Sequence, residues 1–225
     1  MKPTRYILTI LLLLTIWTTM VAQPRLRRPE IYLGAHAGVM ASSMLFDPTV
    51  KGIDLMQSPL SVNGGLMFRY AAHKVCALQV EVNYMQRGWR EILPATETAS
   101  NVDYRRQLDY IQVPLLMHLY FGKKFRGFIN LGPQIGYCFR DTEYGTKNPL
   151  YKHQYLPVQH PFDWGLAGGL GVYYRTQKIG LFQLEARFNY SLGSAFSTKV
   201  TDHFKMANPI NLSINFAYLW EIKIK

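Results

Sequence analysis

From Phe182 to Tyr190 every second side chain is apolar: Phe182, Leu184, Ala186, Phe188 and Tyr190. The residues between them are Gln183, Glu185, Arg187 and Asn189. A period of two builds a strand with one greasy and one polar face. The same alternation recurs along the chain, and no helical period of any length follows residue 22. The pattern places strands at 31–43, 60–70, 75–88, 104–121, 125–138, 162–175, 180–191 and 209–221. Eight two-faced strands leave few options, and the question is which face meets solvent.

The connections alternate in length. Short ones hold AAHK (71–74), GKK (122–124) and TQKI (176–179), and these read as hairpin turns. Long ones span 44–59, 89–103, 139–161 and 192–208. Tight turns and both termini therefore gather at one end, and four long loops at the other. An even strand count with this asymmetry is the plan of an antiparallel up-and-down transmembrane β-barrel.

Lysine decides between a water-facing and a lipid-facing wall. All twelve lysines lie in the leader, loops, turns or tail, and none in a strand. A soluble barrel would carry Lys along its outer face. The polar faces hold instead Gln79, Glu81, Asn83, Gln112, Gln183, Glu185, Arg187, Asn189, Asn211 and Asn215. These are groups for a packed, hydrogen-bonded lumen, with Glu81 and Glu185 expected to pair with Arg187, Arg69 or Arg126. Two stretches echo each other, LQVEVNY (78–84) and FQLEARF (182–188), each placing Gln and then Glu inward. The alternating small residues of 165–171 suggest a crowded inner face. Pro114 and Pro133 fall in mid-strand, where a missing donor predicts a bulge or break. Apolar-face aromatics gather at strand ends: Tyr70, Phe121, Phe125, Tyr174, Phe182, Tyr218 and Trp220 at the turn end, Tyr84, Tyr137, Trp164 and Tyr190 at the loop end. Two such belts suit two membrane interfaces.

Composition agrees. Charged residues are sparse at 17 % and aromatics rich at 14 %, while mean hydropathy near zero excludes a helical membrane protein. The one long apolar run, Tyr6–Trp17, follows Lys2 and Arg5 and precedes a small residue, Ala22. It is short for a membrane span and has the build of a secretory leader over 1–22, leaving 23–225 as the barrel domain. Formal charge falls from +11 to +9 when Lys2 and Arg5 leave with it. Arg25, Arg27 and Arg28 and the turn lysines Lys74, Lys123, Lys124 and Lys178 would then face the periplasm. For an exported chain this basicity points to anionic lipid, lipopolysaccharide or an acidic partner, and not to nucleic acid. Cys76 and Cys138 fall on non-adjacent strands at opposite ends and are expected as free, buried thiols.

Three stretches resemble the PorT-type outer-membrane β-barrel family: LQVEVNYMQRG (78–88), LDYIQVPLLMHLYFG (108–122) and FINLGPQIGY (128–137). The resemblance covers residues 30–225, with YIQVP and LGPQIG its most specific parts. It implies a small barrel of the Bacteroidetes outer membrane and, from the name-giving member, a part in type IX protein secretion.

An eight-stranded barrel has an interior that side chains fill, so function should sit on loops, rim or outer wall. His153, His160 and Asp163 in the third loop and Ser197, Asp202 and His203 in the fourth match no nucleophile motif or metal-ligand spacing. GLAGGLG (165–171) opens no helix and is no phosphate loop. The expectation is a non-enzymatic, largely closed barrel without cofactor or metal, accessory to envelope or secretion machinery. A small channel or ligand-binding barrel is the alternative, and a soluble lipocalin-like carrier a third.

Overall fold

A computed structural model describes residues 25–47, 54–57, 61–93, 102–145, 158, 160–176, 179–193 and 206–222. The expected leader, 1–22, lies outside the described residues. The strands are β1 (Arg25–Asp47), β2 (Asp54–Gln57), β3 (Ser61–His73), β4 (Cys76–Leu93), β5 (Val102–Gly122), β6 (Phe125–Gly145), β7 (Phe162–Arg175), β8 (Leu181–Ser191) and β9 (Met206–Ile222).

All pairings are antiparallel. Neighbours run β4-β3-β1-β9-β8-β7-β6-β5, and β4 pairs with β5 to close the ring. Eight strands thus make an up-and-down barrel. The ninth, β2, is no extra stave. Gln57 pairs with Trp89 on the same strand that receives Asn63 at Met85. β2 therefore continues the line of β3 along β4 beyond a short interruption.

Burial follows the alternation. Along β8 the inward Gln183, Glu185, Arg187 and Asn189 are buried, while Leu184 and Phe188 are about half exposed. Leu170 and Leu66 are among the most exposed side chains of the wall. A soluble domain has no reason to bury its glutamates and display its leucines. Lipid outside and a polar core inside give the only favourable arrangement of these two faces.

The strands reach further at the loop end than their alternation suggests. β4 and β5 pair out to Leu93–Val102, β5 and β6 to Tyr104–Gly145, and β1 and β9 to Asp47–Met206. Much of the expected loops 44–59, 89–103 and 139–161 is strand. Hairpin pairing needs only backbone partners, and above the lipid it continues after the apolar face has ended.

The prolines produce a break without a bulge. Pro114 pairs with Gln134, and the β5–β6 register resumes unshifted at Met117–Leu131. The β6–β7 register runs through Pro133–Leu166 without a shift. Each proline opens its own gap: Pro133 leaves Leu115 and Leu116 of β5 unpaired with β6, and Pro114 interrupts the β4–β5 ladder between Val80–Leu115 and Asn83–Gln112, again without a shift. The register shift lies instead at Asp109/Tyr110, where β6 fits Phe139 between Cys138 and Arg140. Cys76 on β4 and Cys138 on β6 are free thiols, and only Cys138 is fully buried.

The tight turns are Lys74–Val75, Lys123–Lys124 and 176–180. Gly122 (φ +114°) and Gly180 (φ +128°) take the left-handed conformations that two of them need. Thr176 Oγ1 accepts from Gly180 N at 2.9 Å and closes the third.

Candidate functional site in the barrel lumen

The inward side chains form stacked layers. Nearest the turns is an aromatic and aliphatic plug that includes Tyr32, Tyr120, Phe128, Tyr173, Met67 and Leu219. His118 is wholly buried among these rings, 4.8 Å from Phe128 and 5.5 Å from Tyr120 between centroids, and pairs through Nδ1 with Asn130 Oδ1 at 2.7 Å. Below the plug, at the rim, Arg175 bridges Glu30 and Glu221 at 3.0 Å each.

The next layer is built by the two echoing stretches. β4 and β8 stand on opposite walls and present Gln79-x-Glu81 and Gln183-x-Glu185 to each other. Two arginines join them. Arg69 Nε donates to Gln79 Oε1 at 2.7 Å, and its Nη2 to Gln183 Oε1 at 2.5 Å. Arg187 spans the carboxylates, donating to Glu81 at 2.5 and 2.8 Å and to Glu185 at 3.0 and 2.9 Å. Neighbouring amides fill the remaining lone pairs. Asn83 and Gln79 donate to Glu81, and Asn130 and Gln183 donate to Glu185. His36 lies 3.7 Å from Glu81 and pairs with Asn83 at 2.7 Å. Burial of such charges is tolerable only when geometry and hydrogen bonding are both this complete.

Small residues make the room. A Cβ on Gly169 would strike the Glu185 carboxylate, and one on Gly171 the Phe128 ring. The crowding expected along 165–171 therefore has two named causes.

Toward the loops, Asn63 Nδ2 donates to Asn215 Oδ1 at 2.6 Å, and Asn215 Nδ2 to Ser213 at 3.0 Å. Asn211 pairs with Ser42 at 2.7 Å. Gln112 and Asn189 are buried at 1 % exposure each, with their amide nitrogens unpartnered. Above them Arg87 Nη1 donates to Asp163 Oδ2 at 2.6 Å and to Ser191 Oγ at 3.2 Å, over the Tyr110 ring. Higher still, Arg106 takes Asp141 with two bonds, at 2.9 and 2.5 Å, beside Trp89.

Glu81 and Glu185 have Arg187 as their arginine. Arg69 serves amides instead, and Arg126 stays at the turn rim, bonded to Tyr173 and the Lys123 carbonyl. The Arg87–Asp163 pair was not expected from the sequence. Its signal was there: Arg87 shares the parity of Glu81, and Asp163 alternates with the outward Trp164. Of the loop residues weighed for chemistry, Asp163 belongs to this lumen pair and His160 is exposed, while His153, Ser197, Asp202 and His203 lie outside the described residues. Among the described residues no group of three metal-ligating side chains comes together. Lys74, Lys123 and Lys124 are exposed at the turns, and Lys178 lies outside the described residues.

A closed ring of eight strands, lipid-facing leucines and phenylalanines, and a charged but neutralised interior define a transmembrane β-barrel. Residues 21–197 match the family described as outer membrane protein beta-barrel domain, and the chain belongs to that family. It resides in the outer membrane. The match ends before β9, the strand that joins β8 to β1. No curated protein matches the chain in sequence. Among solved structures it is similar to the outer membrane protein OprG from Pseudomonas aeruginosa, at 17 % identity over 85 % of this chain and 95 % of that one, TM-score 0.48. It is similar to Ail, the attachment invasion locus protein of Yersinia pestis, at 14 % over 85 % and 99 %, TM-score 0.44. It is also similar to Neisserial surface protein A, at 12 % over 84 % and 96 %, TM-score 0.42.

Proposed function

We propose that this protein is a closed accessory barrel of the cell envelope, of the PorT type, that serves protein secretion through contacts at its rims and not by conducting solutes. The observation that carries the reading is the Arg187 bridge between Glu81 and Glu185, which locks opposite walls together at the middle of the lumen. The plug around Phe128 and Tyr173 closes the same path toward the turns. Work therefore falls to surfaces. The turn end presents Lys74, Lys123 and Lys124, a basic rim suited to an acidic periplasmic protein. The stretches YIQVP and LGPQIG support membership of the type IX secretion group.

The test is a deletion strain compared with its parent by proteomics of secreted and surface proteins. Loss of a defined cargo set, restored by the wild-type gene and not by a variant with Lys74, Lys123 and Lys124 changed to Glu, is the expected result. Unchanged secretion sinks the reading. The channel alternative has its own measurement: purified protein in planar bilayers is expected to give no conductance steps, and reproducible steps would favour that alternative.

A further inference from the structure

The upper edge of the lipid-facing wall follows one ladder row across four staves. Tyr84 on β4 pairs with Ile111, Ile111 with Tyr137, and Tyr137 with Phe162 on β7. All four are exposed. Phe139, the extra residue of β6, leans back onto this row, 6.2 Å from Tyr84. The next outward row on β4, β5 and β6 is polar, Gln86–Asp109–Arg140, and the exposed His160 precedes Phe162 by two residues.

A ladder row runs square to the strands, and the strands are tilted. The outward row that leaves β1 at Ala41 passes through Phe188 on β8 and Leu78 on β4 and returns to β1 at Ile31, ten residues nearer the turns. Shared among the staves, that displacement makes a row climb about 3 Å per stave from β4 toward β7, or about 9 Å from Tyr84 to Phe162. The lower edge does not climb with it. β4 starts at Cys76, whose row runs through Leu119 and Ile129 to Leu170. Beneath that row β5 adds Phe121, β6 adds Gly127 and Phe125, and β7 adds Val172 and Tyr174. These residues cancel the climb and keep the lower edge level.

The apolar face is therefore uneven in height. At the usual rise and tilt it measures about 29 Å from Tyr174 to Phe162 on β7, but only about 19 Å from Cys76 to Tyr84 on β4. A hydrocarbon core of about 30 Å suits β7 and overreaches β4. The polar groups that end the short side are pinned at their height. Gln86 Nε2 donates to the Tyr84 hydroxyl at 2.9 Å, and its Oε1 accepts from Val62 N at 3.4 Å, just past the last β3–β4 pair, Asn63–Met85. Asp109 is buried, accepts from Gln107 at 3.0 Å and lies 4.0 Å from Arg140. Groups held this way do not reach up to a higher headgroup layer, so the mismatch falls on the lipid. We propose that the barrel thins the outer leaflet beside β4 and β5, where its lipid partner spans about 10 Å less hydrocarbon than beside β6 and β7.

The inference rests on outer-membrane placement and goes beyond the accessory role proposed above. The experiment uses the full barrel in dioleoylphosphatidylcholine vesicles, with single nitroxide labels whose depth is read by power-saturation EPR against oxygen and a nickel chelate. Positions 86 on β4 and 164 on β7 stand within about 1 Å of the same height, as do positions 76 and 174 at the turn end. The labels go on Gln86→Cys, Trp164→Cys and Tyr174→Cys, each with Cys76 and Cys138 replaced by Ala, and on the native Cys76 with Cys138 alone replaced. Folding of each is checked by its heat-modifiable gel shift. The label at position 86 is expected at the interface and the label at position 164 in hydrocarbon, about 10 Å apart in depth, while those at 76 and 174 read alike. Equal depth at 86 and 164 overturns the proposal. A label at 76 that reads deeper than the one at 174 by the same amount overturns it too, because that pattern is a rigid tilt of an evenly covered barrel. Should Gln86→Cys fail to fold, Tyr84→Cys against Leu166→Cys, again level with each other, reads the same contrast one row lower.

Discussion

Arg187 holds two buried carboxylates, Glu185 two residues away on its own strand and Glu81 across the lumen on β4. Its replacement by Met leaves Glu81 and Glu185 without their cation in a water-poor interior. A loss of about 3–5 kcal/mol is expected, the usual cost of breaking a buried pair by removing one partner. Urea unfolding in detergent micelles checks it. The triple change Arg187→Met, Glu81→Gln, Glu185→Gln should recover most of that loss, because it removes the stranded charges along with the bridge. A second residue-scale contrast lies on β7. Gly168 faces outward, and a methyl added there would meet only Leu131 Cδ1, at 3.7 Å, whereas Gly169 backs directly onto the Glu185 carboxylate. Gly168→Ala should leave the unfolding midpoint within experimental error. Gly169→Ala should lower it clearly, since the methyl must displace a carboxylate already held by Arg187, Asn130 and Gln183.

At the scale of the strand, one face is tuned to hydrocarbon and the cost of changing it depends on depth. Leu170, two-thirds exposed in the middle of β7, should lose about 2–4 kcal/mol as Arg, and Phe125 at the turn end only about 0–1 kcal/mol. The ratio of the two, measured by unfolding from lipid vesicles, distinguishes a lipid-facing wall from a water-facing one, on which both changes would be tolerated. Strand parity was legible throughout: Gln79, Glu81, Asn83, Gln183, Glu185 and Arg187 stand inward as their alternation required. Strand ends were not. The extensions of β4 and β5 past residue 88 and before residue 104, with the residues next to them, carry Trp89, Arg106 and Leu108 inward, a mixture with no clean apolar face. Pairing there rests on backbone bonds and an existing register, and neither leaves a mark in the residue pattern. Pro114 was readable as a lost donor. Which ladder each proline interrupts, Pro114 that with β4 and Pro133 that with β5, depended on how the staves align.

Among the described residues the lysines Lys74, Lys123 and Lys124 stand exposed at turns, while Arg69, Arg87, Arg106 and Arg187 are buried in the lumen. Trypsin applied to the protein in lipid vesicles should therefore cut at rim and loop sites and spare the bonds after Arg69, Arg87 and Arg187 until the sample is boiled. Peptide mapping by mass spectrometry checks this, and early cleavage at Arg187 would contradict a closed lumen. Alternation, the absence of lysine from every strand and the unequal connections settle much from the amino-acid order alone. They specify the number of staves, the lipid-facing side and the polar lining, because those properties are local to each strand and repeat with its two-residue period. Which lining groups meet is a different matter. Arg69 reaches Gln183, 114 residues further along the chain, and Arg187 reaches back 106 residues to Glu81. Such partners are chosen by ring closure and by the register between staves, which bring opposite walls within the length of an arginine. Only the closed ring could decide that Arg187 takes both carboxylates, that Arg69 takes the amides, and that Arg87 finds Asp163.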